Sequence, residues 1–204
     1  MAWAAVWTNE LHALTEAQKE NNVNIIYAFF KNLGWNDLPI AAMLGNMELE
    51  GQMNPAQWEA GKTIEGVGQV GFGLCQWTPW TRIANFLGEN WRTDYTGQLR
   101  RIEWEAVPGH EGNVIDDGQW IPVASYEYYT FQQFAHDTTH SLEWLVACYE
   151  YSYERGTPMI ETRVQYAERW LAYIQAGPPT PPTPTPRRKM PVWMMLKPNR
   201  IYRR

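Results

Sequence analysis

Leu38-Pro39-Ile40-Ala41-Ala42-Met43-Leu44-Gly45-Asn46-Met47-Glu48-Leu49-Glu50-Gly51 sets an acid where a helix should bury an apolar side chain. Ile40, Met43 and Met47 recur at the three- and four-residue steps of a buried helical stripe, and Glu50 is its next member. Glu48 falls on the opposite face and is expected in solvent. Gly51 follows at once, suited to a left-handed cap, which places Glu50 in the last turn near the negative end of the helix dipole. Desolvation and that dipole both favour the neutral acid, the form a general acid needs to protonate a leaving oxygen. The other reading of the same position is a helix-end Glu that turns to solvent or pairs with an Arg.

Upstream, Thr15 with Gln18 makes a capping-box start for a helix to about Asn32, with Ile25, Ile26, Phe29, Phe30 and Leu33 on its buried side and Gly34 closing it. Asn36 or Asp37, with Pro39 in the first turn, opens the Glu50 helix. Downstream, residues 52–79 lose helical period and gain Gly61, Gly66, Gly68, Gly71 and Gly73, the pattern of irregular loops forming the lip of a cleft. Thr78-Pro79 starts a short helix ending near Gly88, and Thr96 starts another toward Val107. Residues 108–129 read as loop with one or two short strands, and helices resume after Thr130, Ser141 and Thr157-Pro158, the last to about Gln175. The expected fold class is mostly α (α+β), with a small β or loop lobe beside a cleft.

Residues 1–176 are read as one globular domain, 177–186 as a stiff Pro/Thr-rich linker, and 187–204 as a basic, apolar peptide that docks on a partner or an anionic surface. The net charge of −5 hides an asymmetry. Residues 177–204 carry seven Lys or Arg and no acid, which leaves residues 1–176 with ten basic side chains against 22 acidic ones. An acidic body argues against nucleic acid as the partner, since phosphate binding needs a basic face. No secretory leader or membrane span is read from the short, interrupted apolar runs. Twelve Trp and eleven Tyr exceed what a core of this size requires and suit carbohydrate binding. Cys75 and Cys148 are too few for a disulfide framework and are expected as buried free thiols.

Two motif matches fail on context. Gly66-Val67-Gly68-Gln69-Val70-Gly71 has the letters of a dinucleotide loop, but no strong strand precedes it and no helix can open at Gly73–Pro79. His136-Asp137-Thr138-Thr139-His140 resembles a zinc-protease motif with Asp in place of the glutamate base and no clear third ligand. No metal or organic cofactor is expected.

Glu50-Gly51-Gln52-Met53-Asn54-Pro55 followed by Gly71-Phe72-Gly73-Leu74-Cys75-Gln76-Trp77-Thr78-Pro79 is more informative: an acid at a helix end, a turn, then a glycine-rich segment that brings backbone and an amide close to a ligand. This order is similar to the lysozyme-like superfamily that includes goose-type lysozymes and lytic transglycosylases. Leu44-Gly45-Asn46-Met47, Glu50, Asn54-Pro55, Gly71-Phe72-Gly73-Leu74, Gln76-Trp77-Thr78-Pro79 and Ser152-Tyr153-Glu154-Arg155, with Asn21-Asn22 ahead, resemble the phage tail lysozyme family over about residues 15–175. One departure is Gly51, where that family usually has Ser.

The resemblance implies a lysozyme-like fold that cleaves the glycan strand of bacterial peptidoglycan, with Glu50 at the general-acid position. It also assigns Gln76, Trp77 and Tyr153 to substrate positioning, core packing being the alternative for the two rings. A glycosidase normally needs a second carboxylate. Glu59 and Glu65 are the candidates, Glu59 being preferred because it follows Trp58, an aromatic able to stack on a sugar. Lytic transglycosylases manage with one acid. A muramidase built into a phage virion tail is the leading expectation, with residues 187–204 docking on other tail proteins. Placement in the host cytoplasm before release at lysis, a non-catalytic wall-binding protein and a metallo-endopeptidase using His136 and His140 are the alternatives.

Overall fold

The computed structural model describes residues 1–64, 69–107, 110 and 118–177. Glu65, the first half of the glycine-rich hexad 66–71 and the linker and basic peptide from 178 onward lie outside the described residues. The fold is mostly helical and lysozyme-like. Its elements are α1 (Glu16–Asn32), α2 (Asp37–Glu50), α3 (Thr81–Leu87), α4 (Tyr95–Glu105), α5 (Phe131–Ala135), α6 (Leu142–Tyr149) and α7 (Ile160–Ala176).

Side-chain caps set most of the starts. Thr15 and Thr130 each form a reciprocal capping box, with Gln18 and Gln133, and the Ser141 hydroxyl accepts from the Trp144 amide. Two starts differ from expectation. Asp94 rather than Thr96 caps α4, accepting from the Gly97 amide, and α3 begins at Thr81 rather than at Thr78-Pro79. On α1 the buried face runs through Lys19, Asn22, Val23, Ile26 and Phe30, while Leu33 at the C-cap is exposed. Trp35 takes the place expected of Leu33, its ring 4.4 Å from that of Phe30.

α2 is the central helix, buried from Pro39 to Glu48 and packed chiefly on α7 and α6. A helix apolar on nearly all sides belongs inside a fold, and Ile40, Met43, Leu44 and Met47 contribute about 1.5–3 kcal/mol each by leaving water. Glu48 is therefore not in solvent: it is buried between Lys19 of α1 at 2.8 Å and Arg169 of α7 at 3.2 Å. No solvated face exists on this helix, and the acid is compensated by cations from the two helices that cover it.

Residues 51–64 and 69–80 form the small lobe, held by isolated bridges between Trp58 and Phe72, Phe72 and Trp77, and Thr8 and Gln57. The N-terminal segment straps it to α1. The Asn22 side chain accepts from the Ala4 amide and donates to the Ala4 carbonyl, and Asn54 does the same for Val6. Between them the two carboxamides hold the strap as a neighbouring strand would. Among the described residues no helix is long and apolar enough to cross a membrane. Cys75 and Cys148 are free and buried.

Candidate active site

The end of α2 opens on a cleft of about 490 Å³. Its floor carries Glu50, Glu154, Arg155 and Gly156, its lobe wall Gln57, Glu59, Gly71, Gln76 and Thr78, and Leu11 of the strap, Arg82 and Gln119 close the rim. The structure thus brings together Glu50, Glu59 and Gln76 of the residues expected from sequence. Trp58 stands beside the cleft without lining it: its ring packs on Trp7 at 5.1 Å and its Nε1 donates to the Lys62 carbonyl. Trp77 and Tyr153 are wholly buried, so the substrate-contact role expected of them is corrected to core packing. The Tyr153 hydroxyl donates to the Glu105 carboxylate behind the site. Trp35, Trp77, Trp120 and Trp170 likewise lie inside the core, whereas Trp3, Trp58, Trp80, Trp91 and Trp144 are only partly buried and Trp7 is exposed.

Gly51 is not a left-handed cap, since its φ is −118°. Its lack of a side chain serves close approach: a Cβ there would stand 2.8 Å from the Gly73 carbonyl oxygen. The left-handed residues are the next two, Gln52 and Met53, and they turn the chain into the lobe. Beyond them Gln98 ties the loops together, donating to the Pro55 carbonyl and accepting from the Leu74 amide. Gln76, itself left-handed, donates through Nε2 to the carbonyls of Gly73 and Gln57. Glu59 faces the cleft more openly, with Lys62 at 3.6 Å.

Glu50 is paired rather than isolated. Its Oε1 lies 2.6 Å from Nη2 of Arg163, whose side chain is 1% exposed while that of Glu50 is 25% exposed. The same guanidinium reaches Glu150 Oε2 at 2.8 Å and the Asn46 side-chain oxygen at 3.0 Å. Arg163 was not singled out in the sequence, yet the signal was there: Arg163, Ala167, Trp170 and Ile174 are the buried stripe of α7, with a cation where an apolar residue belongs. Gly45 lets the two helices close on each other, because a Cβ there would fall 2.5 Å from the Arg163 carbonyl oxygen.

After Tyr149 the chain widens into a π-helical turn over Glu150–Glu154, closed by the Arg155 amide on the Glu150 carbonyl at 2.7 Å with Arg155 left-handed. This turn delivers two acids to Arg163. Burial pushes the Glu150 carboxyl up, Arg163 pulls it down and Glu50 adds to the rise. Burial, then the charge of Glu50, pushes the Glu154 carboxyl well above the usual range, with Arg163 opposing. Glu154 as a residue is partly open to the cleft, but its Oε1 is sealed and meets no protein hydrogen-bond donor.

The two histidines of the zinc-like motif lie between α5 and α6, away from the cleft lining. The His136 ring bonds the Gly34 carbonyl, and His140 Nδ1 sits 2.8 Å from Asp137 with its ring stacked on Trp144. Among the described residues no three His, Cys, Asp or Glu side chains are grouped to hold a metal ion.

A helical, lysozyme-like body with a carboxylate at the end of its central helix, opening on a polar cleft, defines a lysozyme-like protein. Comparison with known proteins gives the family: the phage tail lysozyme profile matches residues 21–174, and the chain belongs to that family. It is 35% identical over 160 residues to morphogenesis protein 1 of Bacillus phage B103, covering 76% of this chain and 40% of that protein. The chain thus matches less than half the length of that relative.

Proposed function

We propose that this chain is a peptidoglycan glycan-strand hydrolase of the muramidase type, cutting between N-acetylmuramic acid and N-acetylglucosamine, with Glu50 as the general acid. The observation that carries this reading is the position of Glu50: fixed on one oxygen by Arg163 at 2.6 Å, yet still partly exposed to the cleft. Protonation of the glycosidic oxygen by Glu50 releases the leaving sugar as the bond to the anomeric carbon breaks. Glu59 on the lobe wall is the second carboxylate, acting as nucleophile or as the base that activates water.

The host setting we propose is a phage tail, with the enzyme opening the cell wall during infection and residues 187–204 docking on another tail protein. The family description and the name of the morphogenesis relative support it. Digestion of purified peptidoglycan tests the chemistry. New reducing sugar ends are expected, and Glu50→Gln should abolish them while the variant stays folded. Anhydro-sugar ends would mean transglycosylation, new amino groups would mean a peptidase, and undiminished glycan cleavage by Glu50→Gln would overturn the mechanism.

A further inference from the structure

Glu50 and Glu154 on the floor of the cleft and Glu59 on its lobe wall make most of the lining unwelcoming to an anion. Among the described lining residues the cations are Arg82, in the first turn of α3, and Arg155, which follows the π-helical turn. Arg155 is committed, since its Nη1 donates to the Gln119 and Ser152 carbonyls. Arg82 is not: among the described residues its half-buried side chain has no ion pair, hydrogen bond or ring contact. Its place is nevertheless fixed, because the Trp80 amide donates to the Val70 carbonyl at 2.8 Å and Ile83 is wholly buried, which pins the start of α3 to the lobe beside the cleft. The two cations are neighbours, and burial followed by the charge of Arg82 lowers the Arg155 guanidinium. A planar guanidinium fork with no acid bonded to it, next to a second cation, suits an incoming carboxylate.

Resting on the glycosidase reading above, we propose that Arg82 is a specificity-determining residue: at the rim of the cleft it binds a carboxylate on the lactyl side arm of muramic acid, either that of the lactyl group itself or one on the stem peptide joined to it. The sugar rings and N-acetyl groups of the strand are neutral, so its negative charge is carried on the muramic acid side arms, at every second sugar. The acids of the floor and wall repel that charge and Arg82 attracts it. A muramic acid residue is therefore set at the Arg82 rim, and because the two sugars alternate, fixing one of them fixes which of the two glycosidic linkages is presented to Glu50. A polymer of N-acetylglucosamine alone offers Arg82 nothing to hold.

The test is calorimetric binding to the full chain carrying Glu50→Gln, which keeps the ligand uncut. The ligands are soluble glycan strands with their stem peptides, strands stripped of them by an amidase so that the lactyl carboxylate is free, and each of these after chemical amidation of its carboxyls. Amidation should weaken binding about fivefold or more, and adding Arg82→Gln should weaken binding of the charged strand by a similar factor and abolish the difference between charged and amidated forms. An Arg82-dependent preference on the stripped strands assigns the lactyl carboxylate, and one confined to the intact strands assigns the stem peptide. Equal binding of charged and amidated strands by the Glu50→Gln parent overturns the proposal, and so does a preference for charged strands that survives Arg82→Gln. Should that variant fail to fold, Arg82→Met fills the same space without charge: the same loss is expected, and an undiminished preference again overturns the proposal. Digestion of peptidoglycan by the wild-type chain judges the glycosidase reading separately. If no glycan bond is cut while the preference depends on Arg82, only the enzyme assignment fails; if glycan is cut without such a preference, only the role of Arg82 fails.

Discussion

Glu50 at the end of α2 and Arg163 in the first turn of α7 meet at 2.6 Å across 113 residues of chain. Each is the polar member of an otherwise apolar stripe, and each stripe ends at the other's charge. The pair joins the central helix to the last one at the floor of the cleft, so stability and chemistry depend on the same contact.

Arg163→Met should be among the most damaging single changes. It leaves Glu50 and Glu150 without their cation inside the fold, and breaking a buried pair from one side costs about 3–5 kcal/mol. Urea unfolding of the purified variant measures this. A loss below about 1 kcal/mol would place the pair with ordinary surface ion pairs.

Gly45→Ala tests the helix contact. In a helix interior alanine is favoured over glycine by about 1 kcal/mol, but here its Cβ would meet the Arg163 carbonyl oxygen at 2.5 Å and the Ala167 amide nitrogen at 2.8 Å. Both are backbone atoms that cannot turn aside. The helices must part, at about 1–3 kcal/mol, and Arg163 withdraws from Glu50. Lower stability together with lower wall-degrading activity is expected, and a more stable variant would show that the contact is slack.

Glu59→Gln should behave in the opposite way. Its exposed contact with Lys62 at 3.6 Å is worth at most about 1 kcal/mol, so the melting temperature should barely change. Loss of the second carboxylate should nevertheless lower kcat about 100-fold or more. Wild-type kcat in this variant would remove Glu59 from the mechanism.

Asp137 governs acid stability outside the site. Burial raises its carboxyl, but hydrogen bonds from the Tyr129 hydroxyl, from the backbone and ring of His140 and from Thr139 outweigh that and hold it well below the usual value of 3.8. Its contribution is complete above the unfolded value and is lost as pH falls through the folded one. Asp137→Asn should therefore be less stable than the parent near pH 7, by about 1.5–3 kcal/mol, with the gap closing as pH drops below about 4. Denaturation at both pH values reads the difference, and a constant gap would contradict it.

The helix starts marked by Thr15, Thr130 and Ser141 were legible in the sequence, because a cap is a local bond between residues three apart. The polar break in the α2 stripe likewise marked Glu50. Glu48 was misplaced because periodicity shows only that a helix has an apolar face; here α1 and α7 cover the remaining faces and bring Lys19 and Arg169 with them. Trp77 and Tyr153 stand in the motif segments that build the site, yet they pack behind it, and adjacency in sequence does not say which side of a loop meets ligand. The π-turn that presents Glu154 leaves no mark in composition, being one extra residue per turn. Arg163 could have been found by the rule that found Glu50.

At Ala4 and Val6 the strap at the start of the chain is gripped through its peptide groups, while Trp3 and Trp7 beside them are held by their rings. Asn22 and Asn54 read the N–H and C=O of Ala4 and Val6 without touching what distinguishes one amino acid from another. Sequence drift is therefore free at positions 4 and 6 and forbidden at 22 and 54, and the strap can change its exposed side chains beside the cleft while its path stays fixed.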